Sequence, residues 1–394
     1  MQRRKRGYLV IALIALPACL SSPDFFGSGI DEVLDGGGAG PAGGPGGMGG
    51  TGGAGGVAVD GGVKGFGGRR GSRSSSIATV SGSTVAVNPD LPSLIVDGLL
   101  HDVFPADSEP TALAGLPSGD VVVTLRRTQE LTLVTDVRSS PRLVWRVRVC
   151  SEPAGVAVSP HGRTAVVACL GEPRAVVVDL AGSAPVASVE LWGTARAVAI
   201  TDDGDPDDDD ERAYVPLFYG IAGSEGRDDV RIGLVMELDF TLRRVTGQIE
   251  LRPIADLGFG PTTGGVEGAH VGCSPNQLYA IAIAGRHAVI THTCVSPEPP
   301  LQPLTTLASG LTIVDLDTRT VLASTTLGRL VRGAGAMEPS LLGVPIDVDV
   351  APDSQTFAVL SQAASRVLFV DVSGAGVLVP STSVSLGGVC GYSG

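Results

Sequence analysis

The sequence predicts an all-β chain of repeated four-stranded units behind a glycine-rich lead segment, and three observations predict it. From Ile77 onward, short β-branched runs alternate with Gly, Pro, Asp and Ser turns. The same order of strands returns with a period of about 42 residues. No long stretch of the chain places apolar residues at the helical spacing.

The start of the chain reads as an export signal. Arg3, Arg4, Lys5 and Arg6 precede the apolar run Tyr8 to Leu16. That run is far short of the roughly 20 residues a membrane-spanning helix needs, so residues 1–18 are expected to form a signal peptide. Leu16-Pro17-Ala18-Cys19 closes it. These residues resemble the lipobox of bacterial lipoproteins, which implies acylation of Cys19 and attachment to a membrane through that lipid. The implied location is the bacterial cell envelope, at the outer membrane or cell surface.

Residues 19–76 follow as a linker. Between positions 27 and 71 there are 22 glycines, spaced by Pro and Ala, and nothing that could build a core. Gly38-Ala-Gly-Pro-Ala-Gly43 matches a dinucleotide-binding fingerprint by letter, but no strand leads into it and no helix follows.

Residues 77–394 carry the repeats. Gly119, Gly162 and Gly204 mark equivalent turns, and Asp136 aligns with Asp179 at the end of a valine-rich strand. Strands of this kind end at Asp97, Asp136, Asp179, Asp239, Asp315 and Asp371, which gives about six units, with a seventh as the alternative. Four strands per unit at this period are the blades of a β-propeller. Pro153 to Val167, Val177-Val-Asp-Leu180 and Gly310 to Ala323 resemble the YVTN-type propeller repeat, a relative of the NHL and WD40 repeats. The resemblance runs from about residue 110 to 386. Asn276-Gln-Leu278 with Ser296-Pro-Glu-Pro-Pro-Leu301 is similar to an insertion in YVTN proteins that are bacterial surface lipoproteins, which again implies an anchored protein. Some such relatives continue into a cytochrome-like portion with a C-x-x-C-H motif, and that motif does not occur here.

Charge narrows the function. With 28 basic against 41 acidic side chains and a net charge of -13, the chain would repel phosphate, which excludes a nucleic-acid partner held by bulk charge. No nucleophile elbow or other acylase motif occurs. Between Asp202 and Glu211 eight of ten residues are acidic. Asp203, Asp205, Asp207 and Asp209 alternate as oxygen ligands do in calcium loops, so this segment reads either as a calcium site or as a solvated acidic loop. Outside the cytoplasm cysteines pair, and the expected bridges are Cys150 with Cys169 and Cys273 with Cys294, leaving Cys390 over. A metal site of His270, Cys273, His292 and Cys294 is the competing reading. His161 reads as a turn residue. Asp347 and Asp349 alternate on an inner-type strand and could face a central channel.

The expectation is therefore a lipid-anchored binding or scaffold module that offers its rims to a protein, peptide or glycan. The alternatives are an extracytoplasmic hydrolase or lactonase using channel carboxylates and a divalent ion, and a fragment of a longer redox-associated propeller protein.

Overall fold

A computed structural model describes residues 69–221, 232–255, 272–296, 306–333, 344–351, 356–362, 366–372 and 378–385. Cys19, His270 and Cys390 lie outside the described residues. The described chain is a β-propeller of six antiparallel blades, each with four strands from one contiguous stretch of sequence, and the fourth blade takes in one further strand from upstream.

After a two-residue strand β1 (Ser72–Arg73), blade 1 comprises β2 (Ile77–Val80), β3 (Ser83–Asn88), β4 (Leu91–Val96) and β5 (Leu99–Asp102). Blade 2 comprises β6 (Pro110–Gly115), β7 (Val121–Leu125), β8 (Glu130–Thr135) and β9 (Arg142–Arg148). Blade 3 comprises β10 (Pro153–Val158), β11 (Thr164–Cys169), β12 (Arg174–Asp179) and β13 (Ala184–Glu190). Blade 4 comprises β14 (Ala199–Ile200), β15 (Ala213–Pro216), β16 (Gly233–Asp239) and β17 (Arg244–Leu251). Blade 5 comprises β18 (Ser274–Ala284), β19 (His287–Val295), β20 (Leu307–Asp315) and β21 (Thr320–Thr326). A short helix, Leu327–Gly333, leads to blade 6, which comprises β22 (Pro345–Val350), β23 (Thr356–Ser361), β24 (Arg366–Val372) and β25 (Leu378–Ser385).

Burial follows position in the blade. The second strands are mostly buried, and Val121–Leu125 at every residue, because both of their faces meet neighbouring blades. The outermost strand β9 alternates between exposed and half-buried, with Arg142, Arg146 and Arg148 on its exposed positions. Charges along such an edge discourage pairing with another chain. The core lies in the seams between blades: Val85, Leu113 and Val123 join blades 1 and 2, and Val156, Val167 and Leu131 join blades 2 and 3. Similar seams carry the packing on to blade 6, where Phe357 and Val348 meet Val289 and Leu311.

The acids that mark the repeats close turns. Asp179, Asp239 and Asp315 each accept a backbone N–H two or three residues ahead, from Ala181 (3.0 Å), Leu242 (2.7 Å) and Thr318 (2.9 Å). Just before each of these acids, and before Asp371, the pairing of third with fourth strand slips by one residue. Such a bulge bends and twists the strand at the same place in blade after blade.

Residues 69–76, which composition leaves with the linker, are built into the ring. β1 pairs antiparallel with β14 as a fifth, innermost strand of blade 4. Gly71 donates its N–H to Ile283, Ser74 to Val198, and Leu113 to the carbonyl of Ser75, so the segment touches three blades in turn. Gly71 lets it lie this deep, since a Cβ there would stand 2.1 Å from the Ile200 carbonyl oxygen.

Candidate functional site

The inner strands run in the same direction along the channel, and the segment 69–76 runs against them. Arg70 sits by the far ends of β18 and β22, bridging Ala284 and donating to the Val350 carbonyl at 3.1 Å. Ser74–Ser76 lie by the near ends of the inner strands and turn into β2. Arg69 and Arg70 therefore lie toward one face, here called the tether face, and residues 73–76 form a floor below the opposite mouth.

Arg73 stands in the channel between the two inner-strand acids. Its Nη1 donates to Asp347 Oδ1 at 2.8 Å and its Nε to Asp349 Oδ1 at 3.1 Å. Ser75 Oγ–H donates to Asp347 Oδ2 at 2.8 Å, and the Val348 N–H to Oδ1 at 2.8 Å. Burial opposes the charge on Arg73, but Asp347 and Asp349 outweigh it and its pKa is raised. Burial raises the pKa of Asp347, against the pull of Arg73 and Ser75. The channel acids thus have a guanidinium between them, supplied by the chain itself.

Above this floor a cavity of about 180 Å³ opens at the mouth. Ser75, Asp347, Arg126, Arg196 and Tyr279 are among its walls. Arg126 is held at the rim by Glu109 (3.3 Å) and Glu152 (3.0 Å). Both glutamates have left-handed backbone, φ 53° and 48°, each in the position just before an inner strand. Conformations of this kind cost energy in a residue with a side chain and gather at sites that need a fixed geometry. Arg196 is exposed at the lip, has no protein hydrogen bond or ion pair among the described residues, and lies over the Tyr279 ring, 5.3 Å from its centroid. Confinement in the mouth and the neighbouring Arg126 charge lower its pKa, against Tyr279 and Asp347.

Aromatic side chains continue from the cavity onto the same face. Phe218 packs edge-on against both Tyr279 (5.4 Å) and Tyr219 (4.8 Å). Tyr219 is 58% exposed, and Trp192, four residues before Arg196 in the loop between blades 3 and 4, is 64% exposed. The chain has only two tryptophans, and one of them stands in solvent in the loop that carries Arg196.

The other predicted residues fall elsewhere. Cys150 is joined to Cys169, and Cys273 to Cys294, with Cα atoms 6.2 and 5.3 Å apart. Each bridge pins the approach to an inner strand to the second strand of its blade, at the mouth end. The four-ligand metal reading of this region fails on chemistry. Both thiols are consumed, and the buried His292 has Nδ1 on the Thr293 carbonyl (3.3 Å) and Nε2 on Thr312 Oγ1 (3.0 Å).

The acidic loop lies on the tether face, where Arg69 reaches Asp202 at 3.5 Å. The alternation expected to gather Asp203, Asp205, Asp207 and Asp209 instead makes successive turns. Asp203, Asp205 and Asp207 each accept the N–H two residues on, at 2.9, 3.0 and 2.9 Å. The carboxylates that come within 4.8 Å of one another are those of Asp203, Asp205 and Asp210, all exposed. Asp208 pairs with His161 Nδ1 at 2.9 Å. Glu211 is buried against Thr201 and the Asp203 N–H, with its pKa raised by burial.

Arg73, Arg126, Arg196 and Tyr279 were not marked by sequence reasoning. An isolated Arg in a turn carries no motif, and Arg73 sits where composition reads as linker.

No family model matches the chain, and no curated protein matches it. Among solved structures it is similar to Kuenenia stuttgartiensis hydrazine synthase, with a TM-score of 0.56 at 17% identity over 75% of each chain. It also matches the periplasmic gluconolactonase of Pseudomonas aeruginosa (TM-score 0.46, 15% identity, 77% of each chain). A third match is the Neurospora crassa Pan2 WD40 domain (TM-score 0.45, 10% identity, 78% of each chain). The first of these supports the propeller fold and nothing narrower.

Proposed function

We propose that this chain is a lipid-anchored propeller of the bacterial cell envelope, of the YVTN type, that binds a protein, peptide or glycan at the mouth facing away from its tether. The observation that carries this reading is the asymmetry of the channel. One end takes in the linker, while the other is a closed cup with an unengaged arginine and exposed aromatic residues at its lip. Aromatic and Arg side chains are the ones that carry binding energy at protein surfaces. The export signal and Cys19 put a lipid at the far end of the linker, so the mouth points away from the attachment.

The hydrolase alternative needs channel carboxylates free to take a divalent ion. Asp347 instead accepts three hydrogen bonds from Arg73, Ser75 and Val348, which favours binding over catalysis.

The test is to purify the full chain from membranes, measure its mature mass, and compare partner capture from envelope extracts by the wild type and by a Trp192→Ala, Tyr219→Ala double variant. An acylated N-terminus at Cys19 and a partner held only by the wild type are expected. An unmodified, soluble product would overturn the anchor, and equal capture by the two proteins would overturn the mouth as the binding face.

A further inference from the structure

We infer that the cup is a subsite for a single carboxylate group, received by Arg196; this deepens the binding-module reading and rests on it. Arg196 stands open to solvent at the lip of the cup, with only water to accept from it in the free protein. A guanidinium has five N–H donors in one plane and no way to shed its charge. Contact with the Tyr279 ring engages the charge but gives those donors no acceptor, and among the described residues none reaches them. A planar, two-oxygen anion is the partner that answers this geometry, because it accepts two parallel N–H bonds at once.

The surroundings select among anions. Glu109, Glu152 and Asp347 stand at the same mouth, and the first two already hold Arg126. Glu109 and Glu152 hold Arg126 and Asp347 holds Arg73, so Arg196 is the cation of this mouth with no carboxylate of its own among the described residues, and the acids around it oppose a second negative charge on a ligand. A monocarboxylate is therefore favoured over a phosphate dianion. Volume sets how much of the ligand enters. At about 180 Å³ the cup is well under the roughly 300 Å³ at which whole small-molecule pockets begin. It takes the end of a molecule, with the remainder passing over Tyr219 and Trp192. A free peptide C-terminus and a small organic acid both present such an end.

The experiment titrates the full chain with N-acetylalanine, its primary amide, inorganic phosphate, and a tetrapeptide with a free or an amidated C-terminus, read by calorimetry. N-acetylalanine should bind, while the amide and phosphate should bind at least roughly tenfold more weakly. Arg196→Gln should lower N-acetylalanine affinity by roughly tenfold or more, and Arg196→Lys by less, because it keeps the charge and loses the fork. Tighter binding of the free-ended tetrapeptide than of N-acetylalanine assigns the carboxylate to a peptide end, and equal binding assigns it to a small acid. Unfolding curves that superimpose for the wild type and both Arg196 variants secure the comparison. The inference is overturned if no monocarboxylate binds, if acid and amide bind alike, or if Arg196→Gln changes nothing. A partner that docks at the mouth of the wild type and of Arg196→Gln equally would overturn the subsite and leave the binding-module reading standing.

Discussion

Arg73 and Asp347 meet at 2.8 Å in the channel although 274 residues separate them in the chain. The pair closes the ring. Among the described residues no sheet joins a strand of blade 1 to a strand of blade 6. Apolar seams tie blade 1 through to blade 6 in sequence, while the second apolar cluster of blade 6, Ala358, Leu360, Val367 and Phe369 with Ile346, stays within that blade among the described residues. The polar contacts of Arg73 and Ser75 with Asp347 bring blade 6 to the segment that begins blade 1.

Removing the cation should therefore be costly. Arg73→Met strands Asp347 and Asp349 in the channel and is expected to cost about 3 kcal/mol, the scale for breaking a buried ion pair from one side. Adding Asp347→Asn and Asp349→Asn should return much of the loss, because no unpaired charge then stays buried. Urea unfolding of the three proteins checks this; equal stability of wild type and Arg73→Met would show that the ring closes by other means.

Acid should weaken blade 5 through His292. This ring is buried, and burial pushes its pKa down to about 4. A histidine with a lowered pKa binds its proton more readily when unfolded, so its stabilising share is whole above about pH 6.5 and is lost as pH falls toward 4. Between pH 7 and pH 4.5 this amounts to about 2 kcal/mol. His292→Gln should flatten that part of the pH dependence, read from denaturant midpoints at the two pH values.

Gly310 faces His292 across the β19–β20 pair. A Cβ at this position would lie 2.0 Å from the imidazole Cε1, and the neighbours are buried strands with little freedom to yield. Gly310→Ala is expected to cost at least about 2 kcal/mol in thermal or urea unfolding.

The bridge from Cys150 to Cys169 closes a loop of 19 residues. Replacing both with Ala should cost about 3 kcal/mol by loop entropy. Reduction should cost the wild type more than it costs the double variant, which has only the Cys273–Cys294 bridge of the two left to lose.

Much of this architecture was legible because it is periodic. A strand ending in an acid recurs since each blade must bend at the same place, and Asp179, Asp239 and Asp315 do the same turn-closing work in three blades. The mouth was not legible. Glu109 and Glu152 look like ordinary charges before Pro110 and Pro153, and only their shared hold on Arg126 gives them a place. Asp347 and Asp349 could be read as channel acids from their alternation. Their partner could not, because nothing local in Gly71-Ser-Arg-Ser-Ser-Ser76 distinguishes a strand from linker; the pairing is supplied by Ile283, Val198 and Leu113 from three other blades.

The path of residues 69–76 also decides how the molecule would answer a pull. Tension along the linker acts lengthwise on β1, so the bonds linking Ser72, Ser74 and Ser75 to their neighbours are loaded side by side, in shear, together with the Arg73 ion pair. A strand peeled from an outer edge would yield one bond at a time. Here the load would enter at the hub of the wheel and spread to several spokes at once.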